Sequence, residues 1–471
     1  MVSEVKSRSV VIYGAVVRAW TQIASVALLI LAARRLGVAD FGVFTMATVF
    51  INIVQAFLYA GVYEYVLRSK KQDGMDQTLL LLNLFSSLVG AVLSVALGFV
   101  VAKFAHAPQV FTLALWLAPS TCIAAAAAWH EAVALRDERY PVFYGAWAIS
   151  ETIATACAAI WLMFGGGLKS LILYRYLQST IFLLVYAIVL RPTYRGELKW
   201  NRLPEVLRFA GPIYGSRFLT SLSDYGVDLF IGILVSPAAT GLYRLANRIA
   251  FSATEIFMQP LRVLLWTRGA RAGRSLRRIV LVSVDLVKLG VLIVWPAAVV
   301  LTFLTPDILR VAVGSVWVQA TPIVATLLLA RSFGVLELQL EPMLANSEQG
   351  KLLLTVKLVA IGAMFLLVPI LARLGTSWLG VGRVAASLIG ATFVGYLTIK
   401  SIGWRRALRP LSTGTLLAAV SFLLFWSSRL FLGDGFAVRV VAASGCIILV
   451  CVLMLNDLGN LKRHQIVRPG P

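Results

Sequence analysis

Charge is scarce in this chain. Only 14% of its 471 residues are charged and 59% are hydrophobic, a balance that cannot keep a single globule of this length in solution. Histidine and cysteine are nearly absent, with three and four residues. Cys122, Cys157, Cys446 and Cys451 all fall in apolar segments, where a small buried hydrophobe is the expected role. None stands at metal-ligand spacing from a histidine. His130 sits beside Glu131 near a helix end, His106 in a loop and His464 in the tail, so no metal site is expected. No polar gap is long enough to hold a folded domain outside a membrane.

Apolar runs of membrane-spanning length are what the chain has instead, recurring from about residue 10 to residue 456. A bilayer core takes about 20 apolar residues per helix. Fourteen segments qualify: 10–33, 42–62, 78–102, 109–134, 142–164, 169–190, 209–235, 241–265, 280–304, 319–343, 352–372, 379–399, 411–430 and 437–455. The first is too long for a signal-peptide core and has no cleavage site behind it, so it reads as a true helix. The expected fold is an all-α polytopic membrane protein with about 14 transmembrane helices.

The net charge of +22 suggests nucleic acid until the positions are read. With the N-terminus inside, 25 of the 43 Lys and Arg fall in the expected cytoplasmic segments, against a handful in the outer loops. That is the positive-inside pattern, and it puts both termini in the cytoplasm with no nucleic-acid partner. The dinucleotide-like string Gly380-Val381-Gly382-Arg383-Val384-Ala385 opens a membrane helix and follows no strand, so it reads as helix packing by small residues.

An internal repeat pairs G-V-F-T-M-A at 42–47 with G-L-Y-R-L-A at 241–246. Two six-helix blocks that both begin on the cytoplasmic side would be parallel repeats related by an axis along the membrane normal. The expected domains are an N-lobe at 1–190, a cytoplasmic linker at 191–208, a C-lobe at 209–403, and two further helices with a tail at 404–471. Arg429 and Arg439 lie near the outer boundary of the added helices and are expected to snorkel.

Charged groups at membrane depth are costly and usually face protein or water. Arg217, Ser221, Asp224 and Asp228 share one helix face through spacings of four, three and four, and Tyr214 extends it. The next segment carries Arg244, Arg248, Ser252, Glu255, Gln259 and Arg262. In the first block Arg18, Gln22 and Ser25 share a face, as do Asn52, Gln55 and Tyr59, and Arg175, Gln178 and Ser179 lie close together. Glu151 is the acid expected to balance Arg18 or Arg175. The bland alternative is that these charges pair only with each other, Arg217 with Asp224 for example. Lys357, Arg262 and Arg383 sit near segment ends and are expected to reach the interface, and Asp285 with Lys288 is expected to form a local helical pair.

The strings A-R-R-L-G-V-A-D-F-G-V-F at 33–44, R-F-L-T-S-L-S-D-Y-G-V-D-L-F-I-G at 217–232 and G-L-Y-R-L-A at 241–246 resemble the polysaccharide transporter (Wzx-type) family. That family belongs to the multidrug/oligosaccharidyl-lipid/polysaccharide flippase superfamily. The resemblance implies a bacterial inner-membrane flippase for undecaprenyl-pyrophosphate-linked oligosaccharide in surface or exopolysaccharide synthesis. It also implies two lobes around a central cavity working by alternating access. Guanidinium forks match pyrophosphate oxygens, which makes Arg18, Arg217, Arg248 and Arg331 the expected headgroup ligands. Gln22, Asn52, Gln55, Tyr214, Ser221, Ser252 and Gln259 are the expected polar lining. Asp224, Asp228 and Glu255 are the carboxylates suited to coupling with H⁺ or Na⁺; no other cofactor is expected. Lipid-linked oligosaccharide, membrane lipids, and polysaccharide polymerase and export proteins are the expected partners. The competing reading is an ion-coupled drug or small-solute antiporter of the same superfamily. A membrane-embedded polymerase or ligase is disfavoured, because the longest outer loop, about 305–318, is too short for such chemistry.

Overall fold

In a computed structural model, the chain is described at residues 2–69, 75–190, 198–433 and 435–450, and these are helical apart from short turns. Residues 191–197 of the expected linker, the end of the last expected span and the tail from 451 lie outside the described residues. Helix is what a bilayer imposes, since hydrocarbon offers no partner to a free N–H or C=O. The helices are α1 (Val2–Leu58), α2 (Val62–Arg68), α3 (Asp76–Phe104), α4 (Pro108–Arg136), α5 (Tyr140–Met163), α6 (Leu168–Leu190), α7 (Leu203–Leu234), α8 (Pro237–Arg271), α9 (Leu276–Ala312), α10 (Thr321–Glu337), α11 (Leu340–Asn346), α12 (Gly350–Leu374), α13 (Val381–Ile402) and α14 (Trp404–Leu432). A shorter apolar helix, α15 (Phe436–Val450), follows.

Local chemistry sets the ends. Proline stands in the first turn of α4, α5, α7 and α10, where its missing N–H costs nothing. Glycine at positive φ closes α12, α13 and α14 at Gly375, Gly403 and Gly433. Gly37, at φ 77°, breaks α1 into two helices, which is the boundary expected between the first two spans.

Ten helices among the described residues are long and apolar enough to cross a membrane. The protein is thus an all-α, multi-pass membrane protein. Neither α7 nor α8 is among the ten, because the stripes of charge on them lower their hydropathy.

The chain divides into two compact units, Met1–Gly241 and Leu242–Pro471. In the first, α3 packs on α4, α5 on α6, and α1 against α4, α5 and α7. The run Ala124–Ala128 explains how α4 reaches the middle of the unit, since small side chains let backbones approach closely. Asn83 on α3 donates to the Ala125 carbonyl across that contact at 2.9 Å. In the second unit α9 packs on α14 and α10, and α13 on α10 and α12. Phe303 and Phe425 stack there at 4.7 Å between centroids, with planes 4° apart. Packing therefore groups α7 with α1–α6, whereas the sequence repeat begins a second block at 209.

The repeat itself has a physical counterpart in the first unit. A Cβ on Gly42 would overlap the Pro237 carbonyl and stand 3.1 Å from Gly241 N, and one on Gly241 would overlap the Val38 carbonyl. The glycines that open the two copies thus lie backbone against backbone.

Candidate functional site

Two polar clusters lie inside the first unit, among α1, α5 and α6. Asn52 and Gln55 stand one helical turn apart on the second half of α1, which aims both amides the same way. Arg175 on α6 donates to both, from one Nη to Gln55 Oε1 at 3.0 Å and from the other to Asn52 Oδ1 at 2.7 Å. No carboxylate among the described residues forms an ion pair with this guanidinium. Two donors go to neutral oxygens and three remain for other acceptors.

Glu151 on α5 is 5% exposed and lies in the second cluster. It accepts from Tyr174 Oη at 2.9 and 3.0 Å, from Gln178 Nε2 at 2.6 Å and from Thr155 Oγ1 at 3.3 Å. The expectation that Glu151 balances Arg18 or Arg175 is therefore corrected. Glu151 and Arg175 act on each other through space but do not touch. Neutral donors have taken the acid's lone pairs, and neutral amides hold the base. Arg18 is exposed, and its side chain makes no ion pair among the described residues. Gln22 is exposed beside it.

Glu131 on α4, which the sequence offers only as the neighbour of His130, is buried. It accepts from Tyr63 Oη at 2.8 Å and from Trp147 Nε1 at 3.4 Å. Its partners come from α2 and α5, and nothing in the local sequence announces them.

On α7 the residues of the expected face differ in exposure. Arg217 and Asp224 are exposed, whereas Ser221 is buried and Asp228 fully so. Arg217 lies 4.0 Å from Glu64 of α2 and not on Asp224, which corrects that pairing. Tyr214 is committed to packing: its hydroxyl accepts from Val62 N–H at 3.3 Å and its ring lies on Phe57 at 5.4 Å. Gly61, at φ 54°, leaves the space that this ring fills.

In the second unit Glu255 is the hub. Its Oε1 accepts from Arg262 at 2.9 Å, and Arg331 on α10 lies 3.8 Å from its Oε2 while covering the Phe251 ring at 4.4 Å. Arg262, expected to reach for the interface, is thus held by an acid two turns before it on the same face of α8. Arg248 and Ser252 are half-buried on the same helix, and Gln259 is exposed. Arg439 is corrected likewise: it does not snorkel but pairs with Asp307, Nε to Oδ2 at 3.1 Å. Lys357 pairs with Glu341, and Asp285 is exposed.

A family model described as polysaccharide biosynthesis protein matches residues 30–322, more than half of the sequence, and the chain belongs to that family. None of the curated proteins matches it by sequence. Among solved structures it is similar to the lipid II flippase MurJ in an inward closed conformation, at 12% identity and a TM-score of 0.73, over 95% of this chain and 99% of that one. An inward-facing multidrug resistance MATE family transporter of the MOP superfamily shares 14% identity at a TM-score of 0.62, over 81% of this chain and 95% of that one. The eukaryotic MATE transporter AtDTX14 shares 15% identity at 0.55, over 87% and 98%. The fold is the one shared by this flippase and these two transporters.

Proposed function

We propose that this protein is a flippase that moves undecaprenyl-pyrophosphate-linked oligosaccharide across the bacterial inner membrane for surface or exopolysaccharide synthesis, by alternating access. In this reading about 14 transmembrane helices form two six-helix lobes, 1–190 and 209–403, joined by 191–208 and followed by 404–471, with both termini cytoplasmic. Family membership supplies the polysaccharide context, and the fold is one that lipid-linked substrates are known to use in MurJ by that structure's own description. The observation that carries the reading is the Arg175 fork, half-buried, held by neutral amides and, among the described residues, in no ion pair. An anionic headgroup is what such a fork suits, since bidentate N–H donation to phosphate oxygens is both strong and oriented. Arg18, Arg217, Arg248 and Arg331 are the further headgroup ligands proposed from sequence. Asp224, Asp228 and Glu255 remain the proposed sites of coupling to H⁺ or Na⁺, and polymerase and export proteins the proposed partners.

The test is surface glycan output normalised to the amount of protein in the membrane. Arg175→Ala and Arg18→Ala are expected to abolish output at normal abundance, with Arg175→Lys rescuing only in part because it keeps the charge and loses the fork. Normal output from both alanine variants would overturn the headgroup role.

A second reading, an ion-coupled antiporter of small solutes, draws on Glu151, a buried acid held only by neutral donors. If it is right, Glu151→Gln removes dye efflux driven by a pH gradient in vesicles while leaving glycan output untouched.

A further inference from the structure

The second unit holds an open cleft walled by α9, α13 and α14 and floored by the junction of α10 with α11. Its wall is apolar, from Val284, Val287, Val394 and Leu411 among others, with two exceptions. Gln339 and Thr398 line it, are 4% and 5% exposed, and present Oε1 and Oγ1 with no hydrogen-bond partner. Leaving either group buried and unbonded costs free energy comparable to a lost hydrogen bond, so each marks a partner yet to arrive. Thr398 is the sharper case. Hydroxyls in these helices fold back on the carbonyl four residues earlier, as Thr392 does to Leu388 at 2.6 Å and Ser401 to Leu397 at 2.7 Å. Thr398, lying between them on α13, does not.

The cleft opens sideways. Ile399 and Leu408, which line it, are 41% and 47% exposed on helices whose outer faces also show Tyr396 and Trp404. That is the side that hydrocarbon would wet. The lining residues Ala407, Leu408 and Leu411 share the first turns of α14 with Arg405, Arg406 and Arg409, all exposed and none in an ion pair among the described residues. Apolar walls, two unsatisfied hydrogen-bonding groups and a cluster of unpaired guanidinium groups at a helix end together describe the parts of one molecule.

We infer that this cleft binds an anionic glycerophospholipid of the surrounding membrane, with the phosphate on the α14 arginines, a headgroup hydroxyl donating to Gln339, Thr398 donating to an ester oxygen, and an acyl chain along the apolar wall. Phosphatidylglycerol has every one of those groups. The site lies wholly within the second unit and shares no residue with the Arg175 and Glu151 clusters of the first unit, so it stands or falls independently of the flippase reading.

The experiment uses the full chain in nanodiscs of phosphatidylcholine with or without phosphatidylglycerol, and reads retained lipid by native mass spectrometry and thermal midpoint. The unaltered protein should keep phosphatidylglycerol through delipidation and melt at a higher temperature when it is present. Gly395→Leu should plug the cleft without strain, because a Cβ there meets nothing within 4 Å and leucine favours helix. That variant, and the pair Gln339→Leu with Thr398→Val, should each reduce retention by roughly tenfold or more, the scale of two lost hydrogen bonds. Replacing Arg405, Arg406 and Arg409 by Gln should remove the preference for phosphatidylglycerol over phosphatidylcholine. Equal retention of both lipids by the unaltered protein would overturn the site. So would loss of retention in the arginine variant with none in the plugged one, which would mean charge attraction at the surface without the cleft.

Discussion

The two units treat their interior charges in opposite ways. In the second, Glu255 gathers Arg262 and Arg331, so the acid sits between two cations, hydrogen-bonded to the first and 3.8 Å from the second. In the first, Glu151 and Arg175 each find neutral partners and stay apart. A pair that has closed on itself is expensive to break and has little left to offer a ligand, whereas a cation held by amides keeps its charge and most of its donors. The contrast makes Arg175 the guanidinium with the most donors left to offer a ligand, and Glu255 with its two arginines the group whose disruption should cost most stability.

Breaking the contrast at Arg175 should have the largest effect. Arg175→Ala is expected to eliminate glycan output while melting temperature and membrane abundance hold, because no acid is stranded by the change. Opposite behaviour is expected at Glu255: Glu255→Ala leaves two guanidinium groups facing a carboxylate that is gone, and a loss of about 3 kcal/mol should appear as reduced abundance and a lower melting temperature. Adding Arg262→Met should restore part of that stability, and failure to do so would show that the three side chains are not a unit. Between these extremes stand the amides. Asn52→Ala or Gln55→Ala removes one of two hydrogen bonds to the fork and should cut output several-fold, the double change approaching the effect of Arg175→Ala; output unchanged in the double mutant would mean that the clamp does not position the arginine. The smallest stability effect belongs to Arg217→Ala. Its pair with Glu64 is 4.0 Å long and about two-fifths exposed on both sides, so less than about 1 kcal/mol rides on it. Any transport lost in that variant at unchanged melting temperature would measure contact with substrate.

What the sequence shows about this molecule is what has a period. Helix existence follows from runs of apolar residues, and the break at Gly37 follows from a polar, glycine-containing gap. The alignment of Arg217, Ser221, Asp224 and Asp228 follows from spacings of three and four. None of this says which helix is opposite. Arg175 meets residues 120 and 123 positions away and Arg439 an acid 132 away, separations at which helical spacing has nothing to say. For the same reason sign alone points Glu151 to Arg18 or Arg175, whereas geometry gives its lone pairs to a tyrosine, a glutamine and a threonine. Glu255 was legible as a buried acid but not as the centre of a triad, since Arg331 joins it from α10.

The contact between Gly42 and Gly241 bears on motion. Where side chains meet, a displacement of a few tenths of an ångström is lost in rotamer adjustment. Two backbones in direct contact have no such slack. A shift of the turn between α7 and α8 is therefore passed on with little loss to the second half of α1, which begins after Gly37 and carries Gly42, and that helix is a stiff rod. Asn52 and Gln55 ride on the same rod, ten and thirteen residues along, roughly 15 to 20 Å at the rise of an α-helix. The glycine pair works as a gear tooth, and the amides that grip Arg175 are on the shaft it turns.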